Sequence, residues 1–170
     1  MKFNLLTTYW KLTHPGESNV PYWYKRSILK QLWHLIRKGI CQNIAPNIVL
    51  TPIRIWLYRL CGFKIGKNVF IGMKCYLDDL HVDKCVIEDN VTISYGVYMT
   101  SHGYSLEKHH KIIFRRGSYI GMRCTIVPRD EVTEIGENAI IGAGSLVLHS
   151  VPSNTTYAGN PARFIKNNKQ

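Results

Sequence analysis

The chain has 170 residues, with 22 Lys or Arg against 11 Asp or Glu, and a formal net charge of +11 at pH 7. Its hydrophobic fraction of 45% excludes a chain that is disordered by composition, and no apolar run of about 18 residues is present to span a bilayer. The five cysteines include no Cys-x-x-Cys pair, which argues against a zinc ribbon or a disulfide framework. We therefore expect a reduced, cytoplasmic protein, and we expect no signal peptide because charged and turn residues interrupt the N-terminal stretch.

The positive charge is concentrated in the first third of the chain. Residues 1–60 contain nine basic residues and a single acidic residue, Glu17, for a net charge of +8. The remaining residues contain thirteen basic and ten acidic residues, for a net charge of +3. The two parts therefore have different surface chemistry.

The N-terminal part has a helical pattern. Between residues 23 and 40, apolar residues repeat at three- and four-residue steps, while the cations mostly take the other side. A second, shorter helix is predicted from residue 51, with Ile53, Trp56, Leu57 and Leu60 as its apolar face. We predict residues 1–61 to be a basic, helical N-terminal segment.

After Gly62 the sequence changes to a six-residue repeat, which decides the fold class. Aliphatic residues or Met recur in four six-spaced runs, and five of them are followed directly by Gly. The runs are Ile65, Ile71 and Leu77; Ile87, Ile93 and Met99; Ile120 and Ile126; and Ile135, Ile141 and Val147. Each step fits a short strand with one inward side chain, followed by a bend where a small residue tolerates unusual backbone angles. We predict an all-β repeat fold, a parallel β-helix of about five coils over residues 62–151.

Breaks in the repeat mark the loops. Residues 101–118 lack the six-residue period, and we predict an excursion loop there. Loops on a rigid scaffold are where functional residues concentrate. Residues 152–170 are predicted to form a C-terminal tail.

Three stretches resemble the hexapeptide-repeat acyltransferases, which include galactoside, maltose, serine and surface-polysaccharide O-acetyltransferases. These stretches are residues 87–102, 135–147 and 157–166, and the Ala-Gly-Asn-Pro-Ala-Arg motif in the last is the most specific. The resemblance covers about residues 62–167. It implies a left-handed β-helix, an exception to the right-handed rule for parallel crossovers. It also implies a homotrimer with active sites at subunit interfaces, acetyl-CoA as the acyl donor, and no metal.

The resemblance places the catalytic residue at His102, which follows the run ending at Met99. Transfer of an acetyl group from a thioester to a hydroxyl needs a base for the hydroxyl proton. An imidazole with a pKa near 6.5 suits that role at neutral pH. We expect direct attack on the thioester, without a covalent enzyme intermediate.

Asp78 and Asp79 are the candidates for the acceptor site. They end a six-residue run one coil before His102 and could reach the site, where the family holds the second ring nitrogen of the base with a carboxylate or a backbone carbonyl. The alternative is a polar turn pair that begins an insertion. Galactoside-type relatives have an acceptor-binding Asn a few residues upstream, where this chain has Met73 and Lys74, so a different acceptor is expected. Tyr95, Tyr98 and Tyr119 are candidates to flank a sugar, because aromatic rings stack on sugar faces, and packing on the coil wall is the alternative.

The family positions for the CoA donor are distributed over the C-terminal coils. The resemblance places the pantetheine arm of CoA against Met122 and Ala143, each of which follows an Ile-Gly pair. The small side chain at Ala143 would let the arm approach the backbone closely. His149 stands where relatives often have Lys of a Thr-Lys pair, which weakens the case for phosphate binding there. Arg163 and Lys166 match the residues that meet the CoA phosphates, as expected of paired cations.

We predict an acetyl-CoA-dependent O-acetyltransferase that acts on a saccharide hydroxyl, in a surface polysaccharide or its precursor. N-acetylation of an amino-sugar is the nearest alternative. A β-helical carbonic anhydrase would need three zinc-binding imidazoles, drawn from His81, His102 and His109 or His110, but their spacing does not match. A non-catalytic anion or nucleic-acid binder is suggested by charge alone, and no nucleic-acid-binding motif supports it.

The net charge of +8 on the N-terminal segment has no role in acetyl transfer itself. We hypothesise that it makes a peripheral contact with an anionic membrane, at the inner face, where lipid-linked glycans would be met. The alternative is a helical cap over the open end of the β-helix, with a solvated basic face.

Overall fold

The computed structural model describes residues 5–17, 19–25, 27–102 and 110–168. It divides the chain into two units, Met1–Gly39 and Ile40–Gln170. The division therefore falls at Gly39 rather than at the predicted residue 61. The reason is that the helical residues after Gly39 share their buried core with the first coil of the β-helix.

The described part of the N-terminal unit contains two α-helices, α1 (Leu5–Thr13) and α2 (Ile28–Gly39), with a 3-10 turn at Tyr22–Lys25 between them in the chain. Trp10 is its buried centre, stacked on the His14 ring at 4.8 Å. The Thr7 hydroxyl donates a hydrogen bond to the Tyr24 carbonyl at 2.8 Å, which ties α1 to the turn. Among the described residues, no helix is both long and apolar enough to cross a membrane.

A helical cap closes one end of the β-helix. A π-helical turn at Ile40–Ile44 leads into α3 (Thr51–Leu60), which turns Tyr58 into the core. The buried guanidinium of Arg54 donates to the Ile71 carbonyl at 2.7 Å and to the Thr51 hydroxyl at 3.0 Å. A buried charge is tolerated only when it is hydrogen-bonded, so Arg54 ties the cap to the first coil at a fixed place.

The described residues from Lys64 onward form three sheets of short strands, each running up the side of a triangular coil. Sheet 1 contains β1 (Lys64–Ile65), β4 (Cys85–Ile87), β7 (Lys111–Phe114) and β10 (Val132–Ile135). Sheet 2 contains β2 (Phe70–Ile71), β5 (Thr92–Ile93), β8 (Tyr119–Ile120), β11 (Ile140–Ile141), β13 (Thr155–Ala158) and β14 (Arg163–Asn167). Sheet 3 contains β3 (Tyr76–Leu77), β6 (Tyr98–Met99), β9 (Thr125–Ile126) and β12 (Leu146–Val147).

The register confirms the predicted β-helix. Leu77 pairs with Met99 and Met99 with Ile126, in parallel, so equivalent residues of successive runs stack directly. The inward residues of sheets 2 and 3 are buried. The described residues form four complete coils, and a partial fifth begins where Val151 pairs with Ile135. The predicted tail contributes to this last coil, because β13 extends sheet 2 and β14 folds back antiparallel on it.

The glycines after the inward aliphatic residues are needed because the backbone of the next coil packs directly against them. They do not adopt the unusual backbone angles that were expected from the sequence. A Cβ on Gly72 would lie 2.6 Å from the Tyr95 nitrogen, and one on Gly121 would lie 2.5 Å from the Ala143 nitrogen. The left-handed angles occur at the corners instead, with φ between 53° and 70° at Asn68, Lys74, Asn90, Gly96, Gly117, Arg123, Asn138, Gly144 and Asn154.

The predicted excursion loop is shorter than residues 101–118. Strand β7 occupies Lys111–Phe114 and pairs in parallel with β4 and β10. Phe114 takes the inward position between Ile87 and Ile135 and is fully buried. It stands six residues before Ile120 and so belongs to the same six-spaced run, which a search for aliphatic residues alone does not detect. Residues 103–109 of the predicted loop lie outside the described residues.

Candidate active site

The candidate catalytic residues lie at one corner of the triangle, where the chain leaves sheet 3 for sheet 1. We call this the sheet 3–1 corner. Asp78 follows β3, His102 follows β6, Asp130 follows β9, and His149 follows β12. Because the strands of sheet 3 stack in register, these four residues come from successive coils at the same corner.

The structure brings His102 and Asp78 together. His102 Nδ1 lies 2.7 Å from Asp78 Oδ2, and the side chains are 28% and 1% exposed, respectively. The imidazole that donates its Nδ1–H to a carboxylate keeps Nε2 as a proton acceptor. The partly exposed ring and the buried carboxylate therefore form an oriented base.

Hydrogen bonds fix the Asp78 carboxylate in its charged form. The Ser101 N–H and hydroxyl both donate to Oδ2 at 2.8 Å, and the Leu80 N–H donates to Oδ1 at 3.0 Å. Burial acts to raise the pKa of Asp78, but the donors from Leu80, Ser101 and His102 outweigh it and hold the pKa below its ordinary value. Asp78 therefore stays ionised at neutral pH.

Asp79 is buried beside this pair but has a different set of contacts. Its Oδ1 accepts a hydrogen bond from Gln42 Nε2 at 2.6 Å. Its Oδ2 is buried and has no hydrogen-bond partner among the described residues. A buried oxygen without a partner is costly, so this atom is suited to a donor that arrives with a ligand. Gln42 was not identified from the sequence, because it lies 37 residues upstream of Asp79 and belongs to no recognisable motif.

An aromatic pair lies next to the two aspartates. The rings of Tyr76 and Tyr98 stack with centroids 4.3 Å apart and planes 12° apart. Burial, Tyr98 and the carboxylates of Asp78 and Asp79 raise the pKa of Tyr76 to about 12. Tyr98 is exposed, so the stacked pair offers an aromatic surface to solvent.

The other two candidate tyrosines belong to a different side of the coil. Tyr119 lies on β8 of sheet 2, where its hydroxyl accepts a hydrogen bond from Ser94 at 3.2 Å. Tyr95 follows β5 of the same sheet, and its ring lies 6.1 Å from Phe70. Neither residue shares the sheet 3–1 corner with His102.

Two of the predicted donor-binding residues line one cleft. His149 and Arg163, with Tyr157 and Phe164, line a cleft of about 360 Å³ at the end of the β-helix. His149 Nδ1 lies 3.0 Å from Asp130 Oδ1, and this contact is the main cause of the lowered pKa of Asp130. His149 is therefore held by a carboxylate. Lys166 lies on β14, exposed, and does not line this cleft.

Met122 and Ala143 lie at the opposite edge of sheet 3. Both are exposed and follow strands of sheet 2, one coil apart, and the Gly144 N–H donates to the Met122 carbonyl at 2.8 Å. They precede strands of sheet 3, whereas His102 follows one. A single chain therefore does not bring these pantetheine positions next to the base.

The residues considered for zinc do not form a cluster in the described part of the chain. Within that part, no group of three or more His, Cys, Asp or Glu side chains could hold a metal ion. His109 lies outside the described residues. His110 Nδ1 contacts the Asp130 carbonyl at 2.6 Å.

The sequence and fold match known proteins. The family described as "Hexapeptide repeat of succinyl-transferase" matches residues 62–101 and 116–149. The Bacillus subtilis protein named "Putative acetyltransferase YvoF" is 27% identical over 79% of this chain and 83% of its own length. The serine acetyltransferase of Salmonella typhimurium is 43% identical over 79% of this chain, which spans only 46% of that protein.

The fold also matches a solved structure. A hexapeptide-repeat-containing acetyltransferase from Vibrio cholerae O1 biovar eltor, complexed with acetyl coenzyme A, superimposes with a TM-score of 0.67 at 20% identity. The match covers 85% of this chain and 91% of that one, and shows that the two share a fold. Because the repeats on both sides of the loop match the family model and the sequence relatives are acetyltransferases, this chain belongs to the left-handed β-helix, hexapeptide-repeat acyltransferase family.

Proposed function

We propose that this protein transfers an acetyl group from acetyl-CoA to a hydroxyl of a saccharide, with His102 as the general base. The observation that carries the proposal is the pairing of the partly exposed His102 ring with the buried Asp78 carboxylate. The carboxylate of Asp130, which holds His149, is by contrast substantially exposed.

The proposed chemistry follows from the orientation of the ring. Nε2 of His102 takes the proton of the acceptor hydroxyl while the hydroxyl oxygen attacks the thioester carbonyl. The C–S bond then breaks, and the imidazolium returns the proton to the leaving sulfur. Asp78 stays ionised throughout and stabilises the imidazolium through Nδ1–H. The acceptor leaves as an acetyl ester and the donor as free CoA.

The donor assignment is supported by the relatives and by the cleft at His149 and Arg163. An Arg at the mouth of a cleft suits a phosphate, because the guanidinium can donate two parallel hydrogen bonds. Met122 and Ala143 would take the pantetheine arm from the opposite edge of sheet 3. We therefore propose a homotrimer, in which that edge of one subunit faces the His102 corner of its neighbour.

The acceptor assignment depends on the surface around the His102–Asp78 pair. The exposed ring of Tyr98, stacked on Tyr76, offers an apolar face to a sugar ring. The unpartnered Oδ2 of Asp79 would accept a second hydroxyl of the same molecule. Free serine is a second candidate, because the Salmonella relative is a serine acetyltransferase and serine also offers a hydroxyl.

Acetyl-CoA turnover, measured by release of free thiol, tests the proposal. The acceptors are mono-, oligo- and lipid-linked saccharides, amino-sugars and free serine, and a His102→Ala variant is run beside the wild type. We expect turnover with saccharides that depends on His102. Turnover confined to serine or to amine acceptors would overturn the saccharide assignment, and undiminished turnover by the variant would overturn the base.

A further inference from the structure

Helix α2 separates its apolar and polar residues completely. At 100° per residue, its six large apolar residues fall within an arc of about 160°. These residues are Ile28, Leu29, Leu32, Trp33, Leu35 and Ile36. The opposite arc contains Lys30, Gln31, His34, Arg37 and Lys38. We call the six apolar residues the α2 apolar arc.

The α2 apolar arc is not used as core. No residue of α2 is buried, and the residues of the arc are between 44% and 79% exposed. The buried centre of the N-terminal unit is Trp10 on α1, which contacts His14 and Tyr24. A contiguous exposed apolar surface with a polar rim marks an interaction site.

The charges around the arc select an anionic partner. Helices α1 and α2 contain no acidic residue, and Glu17 is the single acid of residues 1–60 against nine basic residues. Arg37 and Lys38 lie toward the two edges of the polar arc, next to the apolar one. A surface that combines apolar insertion with a row of cations fits a bilayer with anionic headgroups, where acyl chains lie directly beneath phosphates.

A second copy of the chain fits this surface less well. Pairing two α2 arcs would bury the apolar residues of both copies, but Lys30, Arg37 and Lys38 lie on the opposite arc and would face away from the seam. Because α2 contains no acidic residue, the second copy would leave these cations without an anionic partner, which the headgroups of an anionic membrane would supply.

The capping helix of the other unit has the same chemistry independently. On α3, Ile53, Trp56 and Leu60 point away from the buried Tyr58 and are 44%, 59% and 50% exposed. Arg59 lies beside them, and α3 contains no acidic residue. Exposed tryptophan and aliphatic residues in a basic setting thus occur in both units.

We propose that α2 is an interfacial helix that binds the surface of an anionic membrane, with its apolar arc between the headgroups and its cations on the phosphates. The inference concerns where the protein works and is independent of the proposed acetyl transfer. It applies equally whether the acceptor is soluble or lipid-linked.

Co-sedimentation of the full-length protein with vesicles tests the proposal. One vesicle type contains phosphatidylcholine alone, and the other contains phosphatidylcholine with phosphatidylglycerol. We expect binding to the anionic vesicles at low salt and weaker binding as salt screens the headgroups. A Leu29→Glu/Leu35→Glu variant should no longer sediment, because both side chains are highly exposed and their replacement removes insertion without disturbing a core.

A charge-matched pair of variants identifies the surface. Lys30→Ala/Lys38→Ala should lower the affinity about tenfold or more, since each cation near an anionic surface contributes to binding. Lys64→Ala/Lys67→Ala removes the same charge from exposed positions of the β-helix and should bind as the wild type does. Equal loss in both pairs would show that net charge alone drives binding and would overturn the proposal.

Two further outcomes would also overturn it. One is equal binding to neutral and anionic vesicles. The other is no binding of the wild type to the anionic vesicles at low salt. A smaller assembly for Leu29→Glu/Leu35→Glu in analytical ultracentrifugation would then assign the arc to a second copy. Thiol release on a soluble acceptor, measured in parallel without vesicles, should be unchanged in every variant, so failure of this proposal is distinguishable from failure of the proposed function.

Discussion

Asp78 Oδ2 lies 2.7 Å from His102 Nδ1, although 24 residues separate the two in the chain. The distance follows from the repeat, because β3 and β6 pair in register and the turns that follow them stack at one corner. Ser101 adds two donors to the same oxygen, so the carboxylate is fixed before any substrate arrives. The scaffold therefore sets both the position and the tautomer of the base.

Replacing His102 by Ala should lower kcat by about 10² or more, since that is the contribution of a positioned general base. Binding of acetyl-CoA should be retained, because the replaced ring is a base and not part of the donor cleft. The measurement is thiol release together with a binding titration of acetyl-CoA. His14→Ala, a change in the N-terminal unit, serves as the control and should leave kcat unchanged.

Replacing Asp78 by Asn should lower kcat on the order of 10²-fold, because part of the general-base contribution is lost with the charge that stabilises the imidazolium. The KM for acetyl-CoA should change little, since Asp78 contacts the base and Ser101 and does not line the donor cleft. Steady-state kinetics of Asp78→Asn, with circular dichroism to confirm folding, checks this. A kcat equal to the wild type would show that Asp78 does not orient the base.

The stability of the protein should depend on pH through Asp78. Its pKa is lowered in the folded state, so its ionised form stabilises the fold at pH values above the unfolded pKa of about 3.9. That stabilisation is lost as the pH falls through the folded pKa. Melting temperatures from pH 7 down to about pH 3 should therefore fall more steeply for the wild type than for Asp78→Asn. Asp130, whose pKa is also lowered, titrates in both proteins, so the difference isolates Asp78.

Replacing Phe114 by Ala should destabilise the β-helix by about 3–5 kcal/mol, the usual cost of removing a buried aromatic ring. Phe114→Leu should cost less, because it restores the aliphatic type found elsewhere in the column. Phe164→Ala, at an exposed ring, is the control and should have little effect. Chemical denaturation of the three variants gives the free energies of unfolding. Equal costs at the two positions would contradict the inward assignment of Phe114.

Phe114 also shows how far the sequence predicts the fold. The six-residue spacing of Ile, Leu, Met and Val reveals the coils because each turn of the β-helix repeats the same inward position. An inward Phe breaks that count, and so the strand Lys111–Phe114 was predicted as loop. The boundary at Gly39 was also missed. Helix α3 belongs to the β-helical unit because Arg54 and Tyr58 are buried against the first coil, and no periodic pattern in the sequence indicates their burial.

The candidate site was predictable only where it follows the repeat. His102 and Asp78 stand at equivalent corners of adjacent coils, so their spacing in the sequence indicates that they meet. The spacing does not distinguish Asp78 from Asp79, whose carboxylates have different partners in the structure. The Gln42 contact joins a helical turn to a coil 37 residues away, and such tertiary contacts leave no periodic signal.

Replacing Gln42 by Leu should lower the free energy of unfolding by about 1–3 kcal/mol, because it leaves both oxygens of the buried Asp79 carboxylate without a protein donor. Asn43→Leu, at the exposed neighbouring position, is the matched control and should be nearly neutral. If Asp79 accepts a hydroxyl of the acceptor, Gln42→Leu should also raise the KM for the acceptor while the KM for acetyl-CoA stays the same. A double-mutant cycle with Asp79→Asn measures the coupling of the pair. Purely additive effects would show that the 2.6 Å contact does not hold Asp79 in place.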